Sequence, residues 1–191
     1  EDEVSQIIED VAPSLIVAGP EIAVPSNTPC PVVGLETFRA LYSLPSATYS
    51  LGDPDRPGYI IYTSGTSGNP RAVTHAHRAI WARRMMWDGW YGLTETDRLM
   101  HAGSFNWTYT LGTGLLDPWS CGATSLIPAK GVTPDQLGAL IELYETTMFA
   151  ASPGVYRQLL RTPPSRSAPL RHGLSAGEKL PDATRLAWET A

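Results

Sequence analysis

Tyr59-Ile60-Ile61-Tyr62-Thr63-Ser64-Gly65-Thr66-Ser67-Gly68-Asn69-Pro70-Arg71-Ala72-Val73 is the stretch on which the reading of this chain turns. Its apolar opening, Tyr59 to Tyr62, predicts a buried strand, and the glycines behind it predict a sharp turn off the strand's end. Thr63, Ser64, Thr66 and Ser67 supply hydroxyls, and Arg71 supplies a positive charge. Successive backbone N–H groups in a glycine-rich turn form an anion-binding concavity, and a guanidinium adds a charge-assisted fork. The pattern is neither G-x-x-x-x-G-K-[ST] nor G-x-G-x-x-G. Taken alone, a Gly/Ser/Thr turn is more often a plain surface loop; the hydroxyls and Arg71 make the competing reading a holder of polyphosphate.

Downstream, Ile80, Trp81, Met85, Met86 and Trp87 recur at helical spacing, which predicts a helix over 79–90 with Thr74 as its N-cap. Strand, glycine-rich loop and helix is the order expected of a phosphate site in an α/β protein. Strand-and-helix units then follow: strands at 99–102, 123–128, 148–151 and 171–175, helices at 109–119, 134–145, 153–160 and 181–190. This alternation predicts a mostly parallel sheet with helices on both faces. The segment 162–166 reads as an exposed loop. Upstream, Val4, Ile7, Ile8 and Val11 mark a helix that Pro13 ends, and Leu15–Ala18 a short strand. Residues 19–57 are proline-rich and read as irregular chain with one short helix near Glu36–Leu41. The whole of 1–191 is expected to be one partial domain.

Composition narrows the function. The 191 residues carry a net charge of -5, with 12 Arg and 2 Lys. No basic cluster suggests a nucleic-acid surface. No apolar run is long enough to cross a membrane, and no secretory leader is visible, so a cytoplasmic setting is expected. Cys30 and Cys121 read as reduced thiols. His75, His77, His101 and His172 lack the spacing of a metal cluster, so no metal site is expected within this chain.

Two further stretches lie at strand ends. Ser104-Phe105-Asn106-Trp107-Thr108-Tyr109 interleaves polar and aromatic residues. It reads either as aromatic core or as part of a ligand site beyond the carboxyl end of a parallel strand. Gly173-Leu174-Ser175-Ala176-Gly177-Glu178-Lys179-Leu180-Pro181 places a Gly-Glu turn before a helix, where a carboxylate also suits the helix dipole.

The full string Tyr62–Val73 closely resembles the phosphate-loop signature of the adenylate-forming enzymes. That superfamily includes the acyl-CoA synthetases, aryl-CoA ligases, peptide-synthetase adenylation domains and luciferases. The segment Ser175–Pro181 resembles the Ser-Ala-Gly-Glu-x-Leu-Pro of acid–CoA ligases, which favours that branch. The resemblance implies that Thr63, Ser64, Gly65, Thr66, Ser67, Gly68 and Arg71 hold the ATP phosphates. It implies that Phe105, Asn106, Trp107 and Thr108 shape the acid pocket. Ser175, Ala176, Gly177 and Glu178 would then form the wall beside adenine and acid. ATP, Mg2+ and coenzyme A are the implied cofactor and co-substrates, and a small carboxylic acid is the implied partner.

The chain departs from the pattern in places. Arg71 stands where the signature has lysine, Ala72 where it has glycine, and Ser67 where it has threonine. A planar guanidinium does not replace a mobile ammonium one for one. The resemblance also covers only an interior slice of the large N-terminal domain. The family's Tyr-Gly-x-Thr-Glu segment, ribose-binding aspartate and lysine-bearing lid are not among these residues, so the main catalytic groups are expected outside them. The chain by itself is expected to be inactive and to self-associate through an unpaired sheet edge. The competing readings are a non-catalytic nucleotide-binding relative and an interaction module.

Overall fold

The computed structural model describes residues 2–63, 70–165 and 168–191. Residues 1–52 and 53–191 form two compact units.

In the first unit, α1 (Asp2–Val11) turns Ile8 inward, and Ala12 then takes a positive φ of 46° as Pro13 stops the helix. Strand β1 (Ile16–Ala18) pairs in parallel with β2 (Val32–Gly34), Val17 opposite Val33. Helix α2 (Leu35–Ala40) follows, then a 3-10 turn at Leu41–Ser43. The proline-rich segment is therefore not irregular throughout. Val32 and Val33 are β-branched and sit in a ladder, and the residues just behind them form a helix.

The second unit opens with β3 (Pro57–Thr63) and β4 (Arg71–Ala76), an antiparallel pair in which Thr63 faces Arg71 and Tyr59 faces His75. This corrects the expected strand–loop–helix order. Val73 and Thr74 are β-branched and belong to the ladder, Thr74 opposite Ile60. Thr74 is not a helix cap. The cap position of α3 (His77–Ala82) is Ala76, and the first amides of that helix bond back to residues 54 and 56, His77 N–H to Arg56 O at 3.1 Å and Arg78 N–H to Pro54 O at 3.0 Å. The helix continues through α4 (Arg84–Met86) and a π turn at Trp87–Tyr91, and Gly92 ends it with a φ of 57°.

The sheet itself has four parallel strands: β5 (Arg98–His101), β6 (Thr124–Leu126), β7 (Met148–Ala151) and β8 (His172–Ser175), in the spatial order β6-β5-β7-β8. Between β5 and β6 runs α5 (Thr108–Leu111), a π turn at Gly112–Leu116, and α6 (Asp117–Cys121). A 3-10 turn at Pro134–Gln136 leads into α7 (Leu137–Leu143). Helices α8 (Pro153–Leu159) and α9 (Asp182–Thr190) complete the unit. Met148 to Ala151 are all buried, as a central parallel strand covered on both faces requires. One face packs Leu99, Ala150 and Leu174 with Tyr91, Met86 and Trp87. The other packs Met100, Phe149 and Ala151 with Ile141, Tyr156 and Leu159. The loop behind α8 is not wholly exposed as expected: Pro164 is buried.

Candidate functional site at the carboxyl ends of the parallel strands

In an open parallel sheet, consecutive crossovers that leave in opposite directions open a crevice beyond the carboxyl ends of the strands. Here β6 lies on one side of β5 and β7 on the other. The crevice therefore opens where β5 ends at His101 and β7 at Ala151, with β8 ending beside it at Ser175.

The residues that leave β5 make a tight turn, with Trp107 N–H donating to Ser104 O at 3.1 Å. Trp107 then caps α5, and Leu111 N–H returns to Trp107 O at 3.0 Å. Asn106 is exposed, while Phe105, Trp107 and Thr108 are half-buried. Trp107 meets the edge of Tyr109 with ring centroids 5.1 Å apart, and Tyr109 meets His101 at 4.6 Å. Beyond β8, Gly177 has a φ of 101°, which disfavours a side chain. A β-carbon built there would stand 3.1 Å from Trp107 Cη2. The two stretches that the sequence placed on an acid-side wall thus meet, the tryptophan ring lying against the glycine backbone. Ser175 Oγ is buried, and among the described residues it has no hydrogen-bond partner. Glu178 is exposed and lies 3.7 Å from Arg157.

His101 was not singled out by sequence as a site residue. Only 3% of it is exposed, and burial pushes its pKa down to about 4. Its Nδ1 accepts the Gly103 N–H at 3.0 Å, so the neutral ring carries its proton on Nε2. That Nε2, the Tyr109 hydroxyl and the Thr110 hydroxyl are all buried without a partner among the described residues. Burial also raises the Tyr109 phenol well above its usual range. The available sequence signal was glycine: positions 103 and 114 both press on His101, and a β-carbon at Gly114 would lie 2.7 Å from His101 Cβ.

Thr63 and Arg71, two of the expected phosphate holders, are exposed and stand opposite each other at the loop end of the hairpin. Ser64, Gly65, Thr66, Ser67 and Gly68, the remaining expected phosphate holders, lie outside the described residues. Strand β4 lies between this loop and α3 in sequence, and residues 54 and 56 take up the first amides of that helix. The loop's described contribution is the Thr63–Arg71 pair alone.

Among the described residues no three of His, Cys, Asp and Glu converge as metal ligands, and no helix is long and apolar enough to cross a membrane. A groove of about 770 Å3 runs beside β8 and α9, lined by Tyr156, Leu170, Gly173, Ser175 and Trp188 among others.

The family profile described as AMP-binding enzyme matches residues 1–191, and the chain belongs to that family. It is similar to the 3-hydroxybenzoate–CoA/4-hydroxybenzoate–CoA ligase of Thauera aromatica, with 33% identity over 71% of this chain and 26% of the relative. It is also similar to the 4-hydroxybenzoate–CoA/benzoate–CoA ligase of Rhodopseudomonas palustris, with 31% identity over 95% of this chain and 34% of the relative. The chain therefore spans about a quarter to a third of these curated relatives. Among solved structures, an anthranilate CoA ligase in complex with anthranoyl-AMP superposes with a TM-score of 0.85. That match has 23% identity and covers 99% of this chain and 40% of the other. A benzoate CoA ligase from Burkholderia xenovorans superposes at 0.82, with 22% identity, 99% of this chain and 41% of the other. These likenesses establish the fold of an adenylate-forming N-terminal region.

Proposed function

We propose that the protein carrying this chain is an ATP-dependent acid–CoA ligase, and that residues 1–191 supply its phosphate loop and much of its acid pocket. A carboxylate oxygen attacks the α-phosphorus of ATP, forming an acyl-adenylate and expelling pyrophosphate. The thiolate of coenzyme A then attacks the acyl carbon, and AMP leaves with the electron pair of the broken acyl–oxygen bond. Thr63, Ser64, Gly65, Thr66, Ser67, Gly68 and Arg71 hold the pyrophosphate end by donor hydrogen bonds and charge. Phe105, Asn106, Trp107 and Thr108 face the acid, and Ser175, Ala176, Gly177 and Glu178 form the wall shared with adenine. Bound Mg2+ would offset charge on the phosphoryl oxygens; its ligands are assigned outside residues 1–191.

The observation that carries this reading is the contact of Trp107 with Gly177. It joins two segments that are 70 positions apart, each bearing a separate likeness to the acid side of the family. A flat, half-buried indole beside a bare glycine suits a flat acid, and relatives named for benzoate and hydroxybenzoate favour an aromatic one. The two free thiols suit a reducing, cytoplasmic setting.

Acid-dependent ATP–pyrophosphate exchange with short, medium-chain and aromatic acids tests the reading. The whole protein is expected to exchange, with aromatic acids ahead. The 191-residue chain alone is expected to be inactive, and to self-associate through the edge of β8. Absence of exchange by the whole protein with every acid would favour a non-catalytic nucleotide-binding relative.

A further inference from the structure

Asp117 is a carboxylate within an apolar run, Leu115-Leu116-Asp117-Pro118-Trp119, and 1% of its side chain is exposed. Arg83 grips it with two donors, Nε to Oδ1 and Nη2 to Oδ2, both at 2.6 Å. The Tyr91 hydroxyl donates to the same Oδ2, and Arg83 Nη2 also reaches Thr113 Oγ1 at 3.3 Å. Gly112 makes room for the guanidinium: a β-carbon there would lie 2.5 Å from Arg83 Cζ. A bidentate pair of this kind, with Asp117 buried and Arg83 largely so, contributes little net stability compared with apolar residues of the same volume, but it fixes geometry.

The elements it joins are the ones that matter. Arg83 sits at the end of α3, which begins directly after β4, the arm that carries Arg71. Helix α3 packs on both strands of the hairpin and against α6, so the pair stands between the hairpin and the helix that Trp107 caps. Asp117 belongs to the continuous helix that Trp107 caps. On its other side that helix is held to the sheet through Gly114, whose carbonyl accepts from Ser125 Oγ and whose missing β-carbon admits His101.

We infer that Arg83 and Asp117 are positioning residues that set the arm bearing the phosphate loop against the helix bearing Trp107, so that the acid and the triphosphate meet in a reactive geometry. This rests on the ligase reading above. An error of about 1 Å in such an alignment costs on the order of 100-fold in rate.

The test uses Arg83→Lys, Asp117→Asn and the apolar pair Arg83→Met/Asp117→Leu in the whole protein. Exchange is assayed well below each variant's melting midpoint. We expect kcat to fall about 10- to 100-fold while the KM values for ATP and for the acid stay near wild type. The apolar pair, combined with Tyr91→Phe so that no buried hydroxyl loses its acceptor, should keep a near wild-type melting midpoint and still lose kcat. Thermal weakening of the single variants with kcat intact in all three would overturn the positioning role and leave the ligase reading standing. A wild-type protein that exchanges no acid would overturn both.

Discussion

The two ends of the parallel sheet differ in how far their buried polar groups are paired. At the amino end, Asp97 is 3% exposed and every oxygen is engaged. Arg171 donates to both, at 2.9 and 2.5 Å, Thr147 Oγ1 donates at 2.7 Å, and the Thr94 amide and hydroxyl donate at 2.8 and 2.9 Å. Arg171 also reaches Gly92 O, and Arg98 reaches Tyr144 O. This latch ties the start of β5 to the start of β8 across β7. At the carboxyl end, His101, Tyr109, Thr110 and Ser175 bury polar atoms that have no partner among the described residues, whereas at the amino end Thr146 Oγ1, next to the latch residue Thr147, is in the same position. A buried polar group without a partner costs about 1–3 kcal/mol, so a chain selected only for stability would not gather four of them. The amino end holds the sheet together. The carboxyl end keeps hydrogen-bonding capacity in reserve.

That contrast can be broken most forcefully at Asp97. Asp97→Ala leaves Arg171 without its carboxylate and the Thr94 and Thr147 donors empty. A loss of about 3 kcal/mol in denaturant unfolding is expected; it is held near the low end because 42% of Arg171 is exposed and rehydrates. The same carboxyl sets an acid limit. Burial alone would raise it, but the bonds from Arg171, Thr147 and Thr94 prevail and hold it well below the usual carboxylate range. Its folded value is thus depressed. Its contribution is complete above the unfolded value of about 3.9 and is lost as pH falls from there toward the folded one. Asp97→Asn should flatten that part of the stability profile.

His101 gives the next effect, in a higher window. Burial lowers it to about 4 in the fold, against about 6.5 unfolded. Below the unfolded value the unfolded chain binds the proton first, so stability falls as pH drops and the fall ends near the folded value. Lowering pH from about 8 to about 5 should remove about 2 kcal/mol through this group, and His101→Gln should abolish that slope. A slope that persists in the variant would assign the titration elsewhere.

Trp107→Ala should cost less in stability, about 1–2 kcal/mol, because the ring is only half-buried. Glu178→Ala should change it by under about 0.5 kcal/mol, since its link to Arg157 is long and both partners are more than half exposed. A large loss of stability at either position would erase the distinction between the two ends.

Much of this layout was legible from local pattern. The alternation of short apolar runs with helical stripes located all four parallel strands, and with them the strand ends at which residues 104–109 and 173–181 lie. Where the reading failed, longer-range pairing had overridden a local signal. Thr74 looks like a cap, but Val73 and Thr74 pair across to Ile61 and Ile60, which turns the segment behind the phosphate loop into a strand. The Arg83–Asp117 and Asp97–Arg171 pairs join residues 34 and 74 positions apart, and no periodicity carries such partnerships. Asp117 within its apolar run, and glycines at 103, 112 and 114 flanking aromatic and charged groups, were the traces left in the sequence.

We propose that the carboxyl end of this sheet chooses the acid. This is tested most directly by kcat/KM across short, medium-chain and aromatic acids for wild type and Trp107→Ala in the whole protein, with the KM for ATP measured alongside. The account predicts a changed order of preference among acids, the aromatic ones losing most, with the KM for ATP unmoved. An equal loss for every acid, or a rise in the KM for ATP as large as the change in acid preference, would contradict it.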